Sequence, residues 1–172
     1  MGYNKLRSKA KFKIGISKSN ENLNDFTISL ESLKKLINKN TSTLIVVHLF
    51  GNPCNISKIS SIAKKHNLKL VVDNTFTPLS VAPKNFGADI IIHSLTKFIN
   101  GTSDTIAGVV CSSRSFIESI RDVNNGSFML MGTTMDSLRA ASILKNMRTL
   151  HIRIKKYSEN AMFLAKSFEN IG

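Results

Sequence analysis

The stretch "LVVDNTFTPLSVAPKNFGADIIIHSLTK", from Leu70 to Lys97, contains two short apolar runs that each end in polar residues. The first run ends at Asp73, and the second is followed by Ser94 and then by Lys97. Continuous runs of valine and isoleucine are typical of strands buried on both faces of a sheet. The link between the runs contains proline and glycine, which interrupt regular structure. We therefore predict two strands, the first followed by a carboxylate and the second by a lysine.

The pattern of this stretch continues on both sides of it. The predicted strands are 43–50, 68–73, 88–94 and 105–112, and the predicted helices are 29–40, 56–66, 115–123 and most of 135–172, with a break near His151. Strands that alternate with helices through short links are the signature of βαβ units. The sequence therefore predicts an α/β fold, with a mainly parallel sheet that is flanked by helices.

The polar residues at the strand ends are candidates for a binding site. In open α/β sheets, ligands collect beyond the carboxyl ends of the strands. Asn52, Asp73, Ser94, Thr96 and Lys97 all lie at or just after predicted strand ends, so they could share one crevice.

From the residues alone, Lys97 has three interpretations. It could form a structural ion pair with Asp73, which needs a cationic or N–H partner. It could belong to a phosphotransfer site, but such a site needs an acidic pair for Mg²⁺, and the residues after Phe50 read Gly-Asn-Pro-Cys-Asn without a carboxylate. It could also form a Schiff base with pyridoxal phosphate, with a carboxylate against the pyridine nitrogen. Ser94 and Thr96 would then supply hydroxyl donors for the phosphate.

A longer motif narrows these alternatives. The segment "VVDNTFTPLSVAPKNFGADIIIHSLTKFINGTSDTIAGVV", from Val71 to Val110, resembles the central block of the Cys/Met-metabolism family of PLP enzymes. That family includes cystathionine γ-synthase, cystathionine lyases, methionine γ-lyase and O-acetylhomoserine sulfhydrylase. Its pattern is VDNTF, a proline-rich link, GAD with an apolar run and HSxTK, then NGxSD and AGV, and all parts stand here in order. The segments "FTPLSVAP" and "LTKFINGTSDTIAG" look most like the methionine γ-lyase branch.

The resemblance implies roles for six residues at the matching positions. Lys97 would carry the Schiff base and move a proton, and the others would bind the cofactor: Asp73 at the pyridinium nitrogen, Thr75 beside the ring, Asn52 at the 3′ oxygen, and Ser94 and Thr96 at the phosphate. Simpler interpretations exist for several of them, because Thr75 and Asn52 suit turns and Ser94 suits a cap. His48 stands where the family usually has an acidic residue, and His93 is expected to be packed rather than catalytic.

The resemblance also implies a fold and an activity. The expected fold is the central part of the large PLP-binding domain of the aspartate-aminotransferase-like (fold type I) superfamily, truncated at both ends. Residues 1–25 are basic and match poorly, while 26–172 form a partial domain with a long helical part from residue 133 onward. The expected enzyme is a cytoplasmic homodimer or homotetramer. It eliminates or replaces the γ substituent of methionine-, cystathionine- or O-acylhomoserine-like substrates, and we expect little activity from this chain alone.

Net charge, cysteine content and hydrophobicity limit the other functions that this chain could have. The formal charge of +13 favours nucleic acid or an anionic surface as a partner, but the lysines are spread over the chain and nucleic-acid motifs are missing. A basic binding protein and an inactive remnant therefore stay as alternatives to the enzyme. Cys54 and Cys111 form no CxxC pair, and we expect no metal site. No apolar run is long enough to cross a bilayer.

Overall fold

The computed structural model describes residues 27–170 and contains a four-stranded sheet in the order β1-β2-β3-β4. The strands are β1 (Thr43–Val47), β2 (Lys69–Asp73), β3 (Ile90–Ser94) and β4 (Gly108–Ser112). β1 and β2 pair in parallel, as do β2 and β3, whereas β4 is antiparallel to β3. The predicted α/β fold with a mainly parallel sheet is confirmed. The basic segment 1–25 lies outside the described residues.

Six α-helices accompany the sheet in the described part of the chain: α1 (Leu30–Leu36), α2 (Ile56–Lys65), α3 (Arg114–Arg121), α4 (Ser127–Met131), α5 (Ser137–Met147) and α6 (Leu150–Glu169). Side-chain caps fix several of their starts, because an oxygen before the first turn accepts one of the unpaired amide protons. Asn55 accepts the Lys58 N–H at the start of α2, and Asp136 accepts the Arg139 N–H at the start of α5. None of these helices is long and apolar enough to span a membrane.

The strands β1 and β4 are shorter than the apolar runs that predict them. β1 ends at Val47 because the chain enters a 3₁₀ turn, Leu49–Gly51, in which Phe50 and Gly51 have positive φ angles of 54° and 84°. These left-handed conformations cannot continue a strand. β4 begins only at Gly108, since the residues before it belong to the loop that follows Lys97.

The main core lies between α2 and one face of the sheet. Ile59 of α2 and Val72 of β2 are completely buried there, together with Leu70, Val46 and other apolar residues. On the opposite face of β1, Ile45 and Val47 are 55% and 40% exposed. The run 43–50 is as continuously apolar as strands buried on both faces tend to be, but the described helices cover only one face at β1.

The second core joins the helical C-terminal part to the turn that carries Lys97. It consists of Leu95 and Ile99 from that turn, Ile143 from α5 and Leu150 from α6, all buried. Lys97 lies in sequence between the first two of these residues. The position of the lysine therefore depends on packing against α5 and α6, two helices that come later in the chain than the turn itself.

Candidate active site

The candidate site lies at the carboxyl end of the two central parallel strands. Asp73 is the last residue of β2, and Ser94 is the last residue of β3. The two strands pair in register with Asp73 opposite Ile92, and the Asn74 N–H donates to the Ile92 carbonyl at 2.9 Å. Because parallel strands end at the same edge, polar residues after β2 and β3 meet there.

A chain of hydrogen bonds connects three of the predicted site residues. The Thr75 N–H donates to Asp73 Oδ1 at 2.9 Å, and the Ser94 N–H donates to Thr75 Oγ1 at 2.8 Å. Thr75 is only 8% exposed, so its hydroxyl oxygen is the acceptor that replaces water for the Ser94 amide. Thr75 is therefore a structural bridge between the ends of β2 and β3, which its sequence position alone did not predict.

The turn after β3 explains how a half-buried strand delivers an exposed lysine. Residues Leu95–Ile99 form a short π-helical turn in which Lys97 has φ −90° and ψ −122°, outside the helical range. Leu95 and Ile99 at the two ends of the turn are buried, whereas the Lys97 side chain is exposed. The amine thus stays in contact with solvent and avoids the cost of burial.

Thr96 has a second connection that the motif does not reveal. Its hydroxyl donates to the Ala107 carbonyl at 3.3 Å and accepts the Ala107 N–H at 3.0 Å. The Leu95 N–H also donates to the Ala107 carbonyl, at 2.9 Å. Thr96 therefore fastens the lysine turn to the chain just before β4, and its predicted contact with a phosphate stays a prediction.

Asn52 lies on a neighbouring turn at the end of β1. The Asn52 N–H donates to the Leu49 carbonyl at 2.9 Å, and Asn52 itself is exposed. A side chain added at Gly51 would lie 3.8 Å from the Phe76 carbonyl oxygen, so this turn runs beside the segment that follows Thr75. The structure thus brings the Asn52 turn to the same edge of the sheet as Asp73.

Two histidines lie behind this edge. His48 is completely buried, and its Nδ1 accepts the Cys54 N–H at 3.3 Å, which places the proton on Nε2. Burial lowers the pKa of His48 and of His93, although the nearby Asp73 carboxylate raises both in part. Among the described residues, the buried His48 Nε2 and His93 Nδ1 have no hydrogen-bond partner. Both rings are therefore expected to be neutral at physiological pH.

The structure also contains a row of aromatic rings that sequence reasoning missed. Phe50, Phe76, Phe98 and Tyr157 contact one another edge to face, with ring centroids 6.4, 6.1 and 5.9 Å apart. A sequence signal was available for the first three, because each follows the end of β1, β2 or β3 by three or four residues. Tyr157 lies on α6, and no local pattern links it to that row.

A comparison with known protein families assigns this chain to the same family as its sequence motif. Residues 4–171 match the family described as Cys/Met metabolism PLP-dependent enzyme. The chain belongs to this family. The family resemblance predicted from the VDNTF and HSxTK motifs is confirmed, and the match extends into most of the basic N-terminal segment.

Curated members of the Cys/Met metabolism family match over most of this chain. L-methionine gamma-lyase from Treponema denticola is 38% identical over 146 residues, which are 81% of this chain and 36% of that protein. Cystathionine gamma-synthase from Haemophilus influenzae is 36% identical over 146 residues, or 81% of this chain and 38% of that protein. Methionine gamma-lyase from Arabidopsis thaliana is 36% identical over 68% of this chain and 26% of its own length. The chain thus spans roughly a quarter to two fifths of these relatives.

Solved structures agree with the fold assignment. A structure of metB from Corynebacterium glutamicum superposes with a TM-score of 0.75 at 26% identity, covering 84% of this chain and 38% of that one. A putative O-acetylhomoserine (thiol)-lyase from Campylobacter jejuni superposes with a TM-score of 0.67 at 26% identity, covering 80% of this chain and 42% of that one. The latter contains a pyridoxyl-lysine monophosphate residue. The predicted fold type I architecture is confirmed.

The donors at the edge of the sheet fit pyridoxal phosphate. Asp73 uses Oδ1 for the Thr75 N–H, which leaves Oδ2 available for a protonated ring nitrogen. The described hydrogen bonds of Ser94 use its backbone, so its hydroxyl can donate to a phosphate. Lys97 presents an exposed amine from the turn that follows Ser94. Within residues 27–170, no group of three potential metal ligands occurs.

Proposed function

We propose that this chain carries the cofactor-binding core of a PLP-dependent enzyme that acts on sulfur amino acids by γ-elimination or γ-replacement. The observation that supports this proposal most directly is the arrangement of Asp73 and Lys97. They follow adjacent parallel strands at one edge of the sheet, within the family motif, and Thr75 and Ser94 link the two strand ends by hydrogen bonds.

The proposed roles of the residues follow from their chemistry. When bound, pyridoxal phosphate supplies a ring that accepts electrons and so stabilises negative charge at the α-carbon of an amino acid. Asp73 holds a proton on the ring nitrogen through its free oxygen, because a carboxylate next to a cation favours the charged form of both groups. Lys97 Nζ would hold the cofactor covalently, and its amine, once the substrate amine has taken its place, would move the proton of the substrate α-carbon.

Phosphate and ring contacts complete the proposed binding site. Ser94 and Thr96 donate hydroxyl protons to the phosphate, Thr75 lies beside the ring, and Asn52 donates to the 3′ oxygen. The Thr96 hydroxyl can donate to the phosphate only if its proton turns away from the Ala107 carbonyl, to which it donates in this structure. We therefore expect Ser94 to contribute more to phosphate binding than Thr96 does.

The names of the relatives support the substrate class. They include methionine gamma-lyases, a cystathionine gamma-synthase and a cystathionine beta-lyase. We propose a substrate of the methionine, cystathionine or O-acylhomoserine type, with methionine γ-lyase activity favoured. We further propose a cytoplasmic homo-oligomer for the whole enzyme. Two free cysteines suit a reducing compartment, and the exposed apolar side chains of Phe50 and Phe76 suit a subunit contact.

Trapping of the cofactor on the chain tests the proposal. The purified 172-residue chain is incubated with pyridoxal phosphate, reduced with borohydride and digested, and the modified peptide is identified by mass spectrometry. We expect modification at Lys97 and its loss in Lys97→Ala, while Lys84→Ala, which removes an exposed lysine from a turn after β2, stays like the parent. Equal cofactor incorporation in the parent and Lys97→Ala would exclude the proposed role of Lys97. Salt-sensitive DNA retention without cofactor uptake would instead favour a basic binding protein.

A further inference from the structure

Arg153 of α6 makes an unusually complete set of contacts with the turn that carries Lys97. Its Nη1 donates to the Phe98 carbonyl at 2.6 Å, and its Nη2 donates to the Ile99 carbonyl at 2.9 Å. The same guanidinium donates to the Asn146 carbonyl at 3.1 Å and to Thr149 Oγ1 at 3.2 Å. One side chain thus binds both residues that directly follow Lys97 and also the end of α5.

The backbone around this guanidinium is shaped to admit it. Gly101 has φ +79°, and a Cβ atom there would clash with Arg153 Nη1 unless the guanidinium moved. The Gly101 N–H donates to the Lys97 carbonyl at 2.8 Å and closes the turn. The glycine therefore serves two purposes, because it reverses the chain and leaves space for Arg153.

A network of polar side chains surrounds the same turn. Asn100, which is 1% exposed, donates to Asp104 at 2.8 Å and accepts from Asn146 Nδ2 at 2.9 Å. This second link joins the turn to α5, as Arg153 joins it to α6. The carbonyls that end a helical turn need donors from outside the turn. A guanidinium meets two neighbouring carbonyls in a fixed geometry that an ammonium cannot reproduce.

We propose that Arg153 is a positioning residue for Lys97: it fixes the Phe98 and Ile99 carbonyls, and so sets the direction in which the lysine amine meets the cofactor. This inference rests on the proposed function, because it assumes that Lys97 binds pyridoxal phosphate. If the inference is correct, α6 takes part in orienting the lysine amine, although this helix is distant in sequence from the motif. Misplacement of a reacting group by about 1 Å can reduce a rate by about 100-fold.

The test uses the full chain with three substitutions of arginine. Arg153→Met removes the guanidinium, Arg153→Lys keeps the charge without the two-pronged donor, and Arg148→Met is the matched control. Arg148 lies at the end of α5, and its exposed side chain takes part in none of the described hydrogen bonds. The first measurement is the rate of pyridoxal phosphate capture, with the captured cofactor fixed by borohydride. The second is the circular dichroism of the visible band, recorded before reduction and divided by the moles of cofactor that are later fixed. Chemical denaturation reports the folded fraction of each variant.

The expected result is a capture rate that falls about tenfold to 100-fold in both Arg153 variants and an altered visible dichroism, with Arg148→Met like the parent. A purely structural Arg153 would change only the folded fraction, and the dichroism per mole of fixed cofactor would then equal that of the parent. That outcome, or full rescue by Arg153→Lys, would overturn the proposal. If Arg153→Met does not fold, Arg153→Lys decides the matter by the same two measurements. Failure of the parent itself to capture the cofactor at Lys97 would refute the proposed function and, with it, this inference.

Discussion

Replacement of Thr75 by valine tests the hydrogen-bonded bridge between the two central strands. Valine has nearly the same shape and the same branch at Cβ, but it lacks the oxygen that accepts the Ser94 N–H at 2.8 Å. Thr75 is 8% exposed, so water cannot readily take the place of the lost acceptor. A buried donor that loses its partner costs about 1–3 kcal/mol. The expected loss of unfolding free energy is therefore about 1–3 kcal/mol for Thr75→Val.

The control for this experiment is Thr75→Ser, which keeps the oxygen and removes one buried methyl group. Its expected cost is about 0.8 kcal/mol, below that of the valine variant. Urea denaturation of the full chain measures both free energies, and amide hydrogen exchange measures the protection of the Ser94 N–H. We expect the Ser94 amide to exchange faster in Thr75→Val and at the parental rate in Thr75→Ser. Unchanged protection in the valine variant, or a serine variant that is equally destabilised, would refute the reasoning.

Two further predictions concern the core and the buried histidines. Ile59→Ala should destabilise the chain by about 2–5 kcal/mol, because Ile59 is 0% exposed between α2 and the sheet. The control Ile106→Ala, at an 86% exposed position, should change the urea midpoint little. Equal midpoints for the two variants would contradict the packing described. Stability should also fall as the pH drops below about 6.5, since burial lowers the pKa of His48 and His93 and the unfolded chain then binds protons that the folded chain excludes. Urea midpoints between pH 8 and pH 5 measure this loss, and a slope that His48→Gln leaves unchanged would count against a contribution from His48.

Much of the fold could be predicted because local pattern and tertiary structure agree in the central block. The apolar runs before Asp73 and His93 form parallel strands, and the helical periodicity of 56–66 corresponds to α2. The ends of β1 and β4 could not be predicted, because they depend on backbone conformations and not on composition. Phe50 takes a positive φ that an apolar run does not signal, and the residues before Gly108 serve the lysine turn instead of the ladder.

In the candidate site, too, some features could be predicted from the sequence and others could not. The motif identified Asp73, Thr75, Ser94 and Lys97 by residue type and order, and the structure places the first three in one hydrogen-bonded chain. Contacts across long separations were not predictable from one sequence. Arg153 meets the lysine turn from 54 and 55 residues away, and the Thr96 hydroxyl meets Ala107 across a loop. The Arg153 contacts follow from the packing of α6 against the lysine turn, and no local pattern signals that packing.

The two-sided character of β2 has a consequence for how this family's genes can change. Leu70, Val72 and Asn74 are buried toward α2, whereas Val71 and Asp73 lie half-buried on the other side. Side chains alternate along a strand, so an insertion or deletion of one codon within 69–73 would exchange the two sides. A deletion would put the neutral amide of Asn74 in the place of the carboxylate and move the charge of Asp73 into the apolar layer. Length changes are therefore expected to be purged from these five codons.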